Sequence, residues 1–211
     1  MITKDVQTEA KIKKAAIELF EKFGSKGTTV RKVAEKAGVN LALMNYYFQS
    51  KERLFLDIFN ERYAQYRDYG ISLLMDRFLS FEKRLENYYD DMIAGMEDHP
   101  GLPMFILSEL HFNEDLHTGN GLPDSSEIHV QLEKMLQEEF EAGKIRKISA
   151  LEFQLILVSQ TVFPYLMSKQ LNGIVPAVNK SQPWNLSEFM KTTYKANFLE
   201  MVTGFMLKTE I

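Results

Sequence analysis

The chain has 211 residues, of which 45% are hydrophobic and 26% are charged, and its formal net charge is -4. This length is sufficient for one large or two modest domains with a real hydrophobic core. The absence of cysteine excludes a disulfide framework and thiolate chemistry.

The net negative charge is unevenly distributed along the chain. Residues 1–55 hold 11 Lys and Arg against 6 Asp and Glu, a net charge of +5, whereas the remainder holds 14 against 23, a net charge of -9. Because Lys and Arg neutralise phosphates in DNA complexes, a basic first quarter is consistent with a DNA-facing surface. Charge also fluctuates by chance in short segments, so this split decides nothing alone.

Neither a signal peptide nor a membrane span is predicted. Residues 1–14 lack the apolar core of a signal peptide. The most apolar region, residues 155–167, is interrupted by polar residues and by Pro164, and it is too short to cross a bilayer. We therefore expect a soluble, cytoplasmic protein.

An amphipathic helix is predicted at the beginning of the chain. Thr8 is its candidate N-cap, and Gly24 is expected to end it. A single apolar stripe at helical spacing lies between them. Its members are Ile12, Ala15, Ala16, Leu19, Phe20 and Phe23.

The segment from Thr28 to Lys51 has the pattern of two short helices joined by a tight turn. Apolar residues recur at helical spacing before Gly38, which tolerates the positive φ of a helix end. Asn40 can cap the second helix, whose narrow apolar seam is formed by Leu41, Met44 and Phe48. This is the helix-turn-helix arrangement, in which the second helix lies in the major groove of DNA.

This segment resembles the DNA-binding domain of the TetR family of bacterial transcriptional regulators. The matching stretches are GTTVRKVAEKAGV from Gly27 to Val39 and YYFQSKERLF from Tyr46 to Phe55. The resemblance implies an all-α protein with an N-terminal three-helix DNA-binding domain at residues 1–54. A larger helical ligand-binding and dimerisation domain would follow at residues 55–211. This chain differs from the family at Asn45, where a tyrosine is usual.

Ten residues of the segment are predicted to contact DNA. Asn can pair bidentately with adenine, Ala and Leu can pack on a thymine methyl group, and Arg suits guanine. Helix N-termini, Thr and Tyr hydroxyls and Lys suit backbone phosphates. Two alternatives are open, namely that the Thr residues only cap a helix and that Arg31 pairs with Glu35. The ten residues are Thr28, Thr29, Arg31, Asn40, Ala42, Leu43, Asn45, Tyr46, Tyr47 and Lys51.

The rest of the chain is predicted to be helical, with no internal repeat and no strand pattern. A polar loop is expected at residues 113–126, and Pro164 is expected to kink or divide the helix that contains it. Helices are predicted at about residues 52–70, 71–79, 81–98, 104–112, 127–141, 149–171 and 186–207.

The last two of these helices are candidates for an interface between copies of the chain. The helix at residues 149–171 is apolar almost all round and therefore needs burial on both sides. The resemblance implies that both helices pack against their two-fold mates, whereas the alternative is a core helix of a monomer. A homodimer would place two recognition helices on one face of DNA and read a palindromic site.

A pocket for a small, mostly apolar effector is expected in the larger domain. The family generally couples such a molecule to the spacing of its two DNA-binding domains. Aromatic and other apolar side chains with a few polar tips could form its walls. The candidates are Tyr63, Tyr66, Phe78, Tyr88, Met92, Phe105, His111, Phe112, Phe163, Tyr165 and Trp184.

No catalytic residue, metal site or cofactor is predicted. Glu114 and His117 have the spacing found in di-iron bundles, but the required second copy is missing. The sequence therefore predicts a ligand-responsive transcriptional regulator, repression being the common mode of the family. Its partners would be double-stranded DNA, an unidentified effector and a second copy of itself, with no membrane. Alternatives are a helical small-molecule carrier or enzyme, or a protein-interaction module without sequence-specific DNA binding.

Overall fold

The computed structural model describes residues 5–116, 126–178 and 184–206, whose regular elements are all helical. The predicted all-α class is therefore confirmed, while most of the predicted loop at 113–126 lies outside the described residues. A 3-10 turn at Glu114–Leu116 follows α6, and a π-helical stretch at Met190–Tyr194 joins α10 to α11. The helices are α1 (Val6–Gly27), α2 (Val30–Ala37), α3 (Leu41–Phe48), α4 (Lys51–Leu74), α5 (Phe81–Asp98), α6 (Leu102–Phe112), α7 (Ser126–Glu141), α8 (Ala150–Leu166), α9 (Ser168–Val178), α10 (Leu186–Phe189) and α11 (Lys195–Met206).

The described residues form two compact units. The first unit comprises residues 5–66 and 101–116, and the second comprises residues 67–100, 126–178 and 184–206. Helix α6 thus belongs to the same unit as α1, α2 and α3. These units are defined by packing and not by function, so the predicted boundary between a DNA-binding domain and a ligand-binding domain at residues 54 and 55 stays a prediction.

Helix α1 begins earlier than predicted. Asp5 is its N-cap, since the Asp5 carboxylate accepts hydrogen bonds from the Gln7 N–H at 3.1 Å and from the Thr8 hydroxyl at 2.9 Å. The predicted cap at Thr8 is wrong, because Thr8 already lies in the first helical turn and donates back to the true cap. Gly24 interrupts the helix with a φ of 67°, as expected for a glycine at a helix end.

Caps on both sides of one turn define α2 and α3. The Thr29 hydroxyl accepts the Lys32 N–H at the start of α2, and Gly38 ends α2 in the left-handed conformation with a φ of 67°. The Asn40 side chain then accepts the Leu43 N–H at 2.7 Å and caps α3. The predictions for Gly38 and Asn40 are confirmed.

The core of the first unit is built around aromatic side chains. Phe20 packs edge-on against Phe55 with 5.3 Å between ring centroids, and Phe105 of α6 packs edge-on against Phe59 at 5.7 Å. Ile12 of α1 and Phe59 of α4 are completely buried in the same cluster. The predicted apolar stripe of α1 is therefore a core face, except that Phe23 is 47% exposed.

Helix α4 is longer than predicted. It continues through Gly70 to Leu74, so the predicted break between residues 70 and 71 is wrong. A Cβ atom at Gly70 would lie 3.2 Å from the Tyr88 ring and 3.4 Å from the Met92 sulfur. Gly70 is therefore explained by the close approach of α5, not by a helix end.

A buried arginine joins three helices of the second unit. Arg84 of α5 is only 1% exposed and donates one hydrogen bond to the Leu74 carbonyl oxygen, the last residue of α4, at 2.9 Å. Its second guanidinium nitrogen donates to Glu139 of α7. A cation at the C-terminal end of a helix also complements the helix dipole.

The two longest helices predicted in the C-terminal part are both interrupted in the structure. Ser149 and Glu152 form a capping box at the start of α8. Helix α8 ends at Leu166, two residues after Pro164, and α9 begins at Ser168, which confirms that Pro164 divides the predicted helix. The predicted final helix is present, with the π-helical stretch inside it. Among the described residues, no helix has both the length and the apolar character needed to span a bilayer.

Candidate nucleic-acid interface

The solvent-facing side of α3 carries four of its eight residues. Leu41, Ala42, Asn45 and Tyr46 are exposed, whereas Met44, Tyr47 and Phe48 are buried. Leu41 is 46% exposed, so its predicted place in the apolar seam is wrong, because the buried face passes through Met44, Tyr47 and Phe48. Leu43, predicted as a base contact, is half-buried and packs against the core. Leu41 is thus a surface residue, although its helical spacing from Met44 and Phe48 predicts a buried one.

The two threonines before α2 have different surroundings. Thr28 is 1% exposed, and its hydroxyl donates to the Leu19 carbonyl oxygen at 3.2 Å. This placement differs from the predicted phosphate contact, since a phosphate cannot approach a buried hydroxyl that already has an acceptor. Thr29 is exposed and caps α2, so it remains close to the positive end of the helix.

Arg31 is exposed in the first turn of α2. Among the described residues it forms no ion pair, so the alternative pairing with Glu35 is not present in the structure. A guanidinium in this position is available for a phosphate or a base edge.

Lys51 begins α4, and its ammonium donates to the Ser25 carbonyl oxygen at 3.1 Å. Its side chain is 26% exposed, and Glu52 lies 3.9 Å away. An ammonium has three N–H donors, so the contact with Ser25 leaves donors for a phosphate. The structure therefore holds the Lys51 ammonium near a second helix N-terminus.

A buried carboxylate supports Ser25. Glu109 of α6 is 6% exposed and accepts the Ser25 N–H at 2.7 Å and the Ser25 hydroxyl at 2.8 Å. The Asn113 side-chain amide donates to the same carboxylate at 3.0 Å. A network of hydrogen bonds thus runs from α6 through Ser25 to Lys51. Sequence patterns do not reveal it, because Ser25 and Glu109 are 84 positions apart.

The two adjacent tyrosines of α3 point in different directions. Tyr46 is 43% exposed, as a phosphate contact requires. Tyr47 is 7% exposed, and its hydroxyl accepts the Asp5 N–H at 2.7 Å and donates to the Asp5 carbonyl oxygen at 3.2 Å. The structure differs here from the predicted phosphate contact, because Tyr47 attaches α3 to the start of α1.

The turn after α3 is strained. Gln49 has a φ of 61° and a ψ of -50°, and it is the one non-glycine residue with positive φ in the described part of the chain. The Ser50 N–H donates to the Phe48 carbonyl oxygen at 2.6 Å, which makes this a γ-turn. Such strain persists only where the surrounding structure enforces it, and here it sets the direction in which α4 leaves α3.

The candidate effector residues do not gather around one cavity. Phe78, Phe112, Phe163 and His111 are exposed, and Phe78 is completely so. Tyr88, Met92 and Phe105 are buried in the cores of their units, and burial raises the pKa of Tyr88 to about 12. Tyr63 and Tyr66 are half-buried in the first unit. Tyr165 and Trp184 are the two candidates that line a common groove in the second unit.

This groove has a volume of about 550 Å³ and combines apolar walls with a few polar groups. The Trp184 indole N–H donates to the Asn172 side chain at 2.9 Å, and the Tyr165 hydroxyl donates to the Met96 carbonyl oxygen at 2.7 Å. Lys191 lies 2.6 Å from the Glu97 carboxylate, and hydrogen bonds from Lys191 and Ser187 lower the pKa of Glu97. The groove therefore has size and chemistry suited to a small organic molecule.

The second unit also exposes apolar side chains along two helices. Leu151, Leu155 and Val158 of α8 are 59%, 61% and 39% exposed, and their spacing places them on one helix face. Met201 and Phe205 of α11 are 48% and 42% exposed. The Tyr194 hydroxyl donates to Gln160 of α8 at 3.2 Å, so the π-helical stretch that leads into α11 is in contact with α8. Within the described residues, no three His, Asp or Glu side chains cluster in a way that could hold a metal ion.

Comparisons with known proteins agree with this arrangement. A family model described as "Bacterial regulatory proteins, tetR family" matches residues 12–58. The "Probable HTH-type transcriptional regulator YttP" of Bacillus subtilis strain 168 is 26% identical over 178 residues, which cover 81% of this chain and 83% of that protein. The HTH-type transcriptional repressor NicS of Pseudomonas putida is 33% identical over 70 residues, which cover 33% of each protein.

The fold is shared with solved structures. A TetR family transcription regulator from Marinobacter aquaeolei VT8 superposes with a TM-score of 0.60 at 15% identity, and the match covers 96% of both chains. At this identity the likeness shows the fold alone, which confirms the prediction of an N-terminal helix-turn-helix followed by a larger helical part. The Bacillus and Pseudomonas relatives are both named as transcriptional regulators and not as enzymes.

Proposed function

We infer that this chain, as a member of the TetR family of DNA-binding transcriptional regulators, acts as a homodimeric, ligand-responsive repressor on a palindromic operator. The observation that carries the proposal is the exposed face of α3, which stands opposite the buried core face of the same helix. Arg31 at the start of α2 and Lys51 at the start of α4 add basic groups on the helices before and after it. This is the distribution expected when a recognition helix enters a major groove and neighbouring helix ends meet phosphates.

The homodimer is supported by the apolar faces of α8 and α11. Contiguous exposed apolar side chains mark interaction surfaces in otherwise well-packed proteins. The alternative of a monomer core helix is disfavoured, because Leu151 and Leu155 are about three-fifths exposed within one chain. An interface that joins identical surfaces has two-fold symmetry, and two-fold symmetry accounts for a palindromic site.

Release by a small, mostly apolar effector is supported by the groove around Tyr165 and Trp184. An effector can shift the protein away from DNA only if it binds the DNA-incompetent state more tightly than the DNA-bound state. Repression is supported by the relative named as a repressor, NicS of Pseudomonas putida. A cytoplasmic location belongs to the same proposal, since the protein must reach DNA.

Replacing Leu155 by aspartate is expected to break the homodimer. A charge at the centre of an apolar interface is left unpaired, so the dimer dissociation constant should rise by more than about tenfold, or 1.4 kcal/mol. Light scattering after size-exclusion chromatography would measure this against the monomer mass of 24.5 kDa. Val130→Asp is the matched control, because Val130 is 64% exposed and belongs to α7, not to α8 or α11. A dimer unchanged by Leu155→Asp would refute this interface.

DNA binding is tested by a gel shift on the DNA upstream of the gene, with a scrambled duplex and a salt series. The proposal predicts a protected palindrome and an affinity that falls steeply with salt, because binding releases counterions. Lys51→Ala should weaken binding to all sequences alike and reduce the salt slope by about one. Lys147→Ala, at an exposed lysine of the second unit, is the control and should change neither quantity.

Two results would count against the proposal, and a third calls for a further experiment. If the upstream DNA is not preferred over the scrambled duplex, a genome-wide selection of binding sites is the next step. A folded protein that selects no site in that experiment would exclude the repressor function. Salt-insensitive binding to a partner protein would instead favour the protein-interaction alternative.

A further inference from the structure

Helix α3 contains no charged residue. Its exposed face consists of Leu41, Ala42, Asn45 and Tyr46, two of which are aliphatic. Leu41 and Ala42 are adjacent in the first turn, and Asn45 and Tyr46 follow one turn later on the same side. The surface that faces the bases in a helix-turn-helix complex is therefore uncharged in this chain.

The basic groups lie on the helices before and after α3 and not on α3 itself. Arg31 is exposed in α2, and Lys51 lies at the start of α4. A single exposed leucine on a protein surface is ordinary and needs no explanation. Here Leu41 is 46% exposed beside Ala42, which is also exposed, so the pair forms an apolar part of the α3 surface. The exposed face of α3 is thus apolar and amide in character, and the positive groups that can meet phosphates lie on the helices before and after it.

The two asparagines of this region are not equivalent. The Asn40 side-chain oxygen accepts the Leu43 N–H at 2.7 Å to cap α3, so it is already engaged. The Asn45 side chain is exposed, and its amide forms no hydrogen bond within the described part of the chain. Bidentate pairing with adenine requires both the oxygen and the nitrogen of the amide. Asn45, and not Asn40, is therefore able to form that pair.

The chemistry of this surface restricts the bases that it can recognise. Guanine is read mainly by Arg or Lys, which donate to O6 and N7, and α3 has neither residue. Thymine offers a methyl group to apolar side chains, and adenine offers the donor and acceptor that match Asn. We propose that α3 reads A·T base pairs, with Leu41 and Ala42 on thymine methyl groups and Asn45 on an adenine. This inference rests on the proposed function, in that α3 must enter the major groove.

The proposal is tested on a site obtained by selection from random duplexes. Dissociation constants are then measured by fluorescence anisotropy for duplexes in which single thymines are replaced by deoxyuridine, which lacks the methyl group. Burial of one methyl group corresponds to a change of about fourfold in affinity. The affinity of the wild-type protein should fall by about this factor when a contacted thymine is replaced by deoxyuridine. The affinity of Leu41→Ala should not change when the thymine that Leu41 contacts is replaced in the same way.

Asn45→Ala provides the second measurement. It should relax the preference for adenine at one position of each half-site by about tenfold, which lies within the usual range for a bidentate pair. Leu107→Ala is the control for both variants, because Leu107 is 39% exposed on α6 and outside the recognition surface. This control should retain the wild-type base preferences and the wild-type response to deoxyuridine.

The possible failures can be told apart. A selected palindrome with guanine at the positions that respond to Leu41→Ala and Asn45→Ala would overturn the base assignment and leave the DNA-binding repressor intact. Wild-type affinity that is indifferent to every deoxyuridine substitution would overturn the roles of Leu41 and Ala42. Failure of the folded protein to select any site would instead remove the proposed function itself.

Discussion

Arg84→Ala is expected to lower the free energy of unfolding by about 3–5 kcal/mol, because it breaks a buried ion pair from one side. Arg84 is 1% exposed and Glu139 is 8% exposed, so removal of the guanidinium leaves the Glu139 carboxylate with poor solvation. The substitution also removes the donor to the Leu74 carbonyl oxygen. Urea denaturation followed by circular dichroism would measure the loss.

The loss should depend on pH in a defined direction. Burial raises the pKa of Glu139, but hydrogen bonds from Arg84 and Lys144 lower it more, so the pKa lies below its ordinary value of 4.5. The stabilisation from this carboxylate is therefore present above pH 4.5 and is lost as the pH falls through the lowered pKa. In Arg84→Ala the main cause of the lowering is gone, and the deficit relative to wild type should shrink as the pH falls below 4.5.

The double variant Arg84→Met with Glu139→Leu is the control for this explanation. Replacement of both charges by apolar groups of similar volume is often neutral or stabilising, because no buried charge is left alone. The double variant should therefore be more stable than Arg84→Ala by several kcal/mol. An equal deficit in both variants, independent of pH, would mean that packing, and not the loss of the guanidinium partner of the Glu139 carboxylate, causes the destabilisation.

Features that depend on neighbouring residues could be predicted from the sequence. Gly38 and Asn40 bound the turn between α2 and α3 because cap chemistry involves residues two to four positions apart. The division of the helix at Pro164 is local in the same sense, since proline has no backbone N–H to donate to the carbonyl oxygen four residues earlier. Local chemistry of this kind is therefore sufficient to outline the helix-turn-helix and its basic surroundings.

Features that depend on distant residues could not be predicted. Gly70 looks like a helix end in the sequence, and only the approach of Tyr88 shows that it is a packing position. Tyr47 looks like a phosphate ligand, yet its hydroxyl is bonded to Asp5, 42 positions away. The effector candidates could not be located for the same reason. The identity of an aromatic residue such as Phe78 does not tell whether its side chain is buried or exposed in the folded chain.

Glu109→Ala is expected to destabilise the first unit by about 3 kcal/mol, because two buried donors lose a charged acceptor. Those donors are the N–H and the hydroxyl of Ser25, at 2.7 Å and 2.8 Å from the carboxylate. Ser25 is 8% exposed, so water cannot easily replace the carboxylate. Thermal or urea unfolding would measure the effect, and Glu114→Ala, at an exposed glutamate of the same unit, should have almost none.

The same substitution should weaken DNA binding, because the Ser25 carbonyl oxygen accepts the Lys51 ammonium at 3.1 Å. When Ser25 loses its support, the segment before α2 and the start of α4 lose a common anchor, and the groups proposed to bind phosphates are less well ordered. Glu109→Gln keeps one oxygen acceptor of similar shape and should recover part of both losses. If Glu109→Ala lowered stability but left DNA affinity and its salt slope unchanged, Glu109 would support the core of the first unit without positioning the DNA-binding residues.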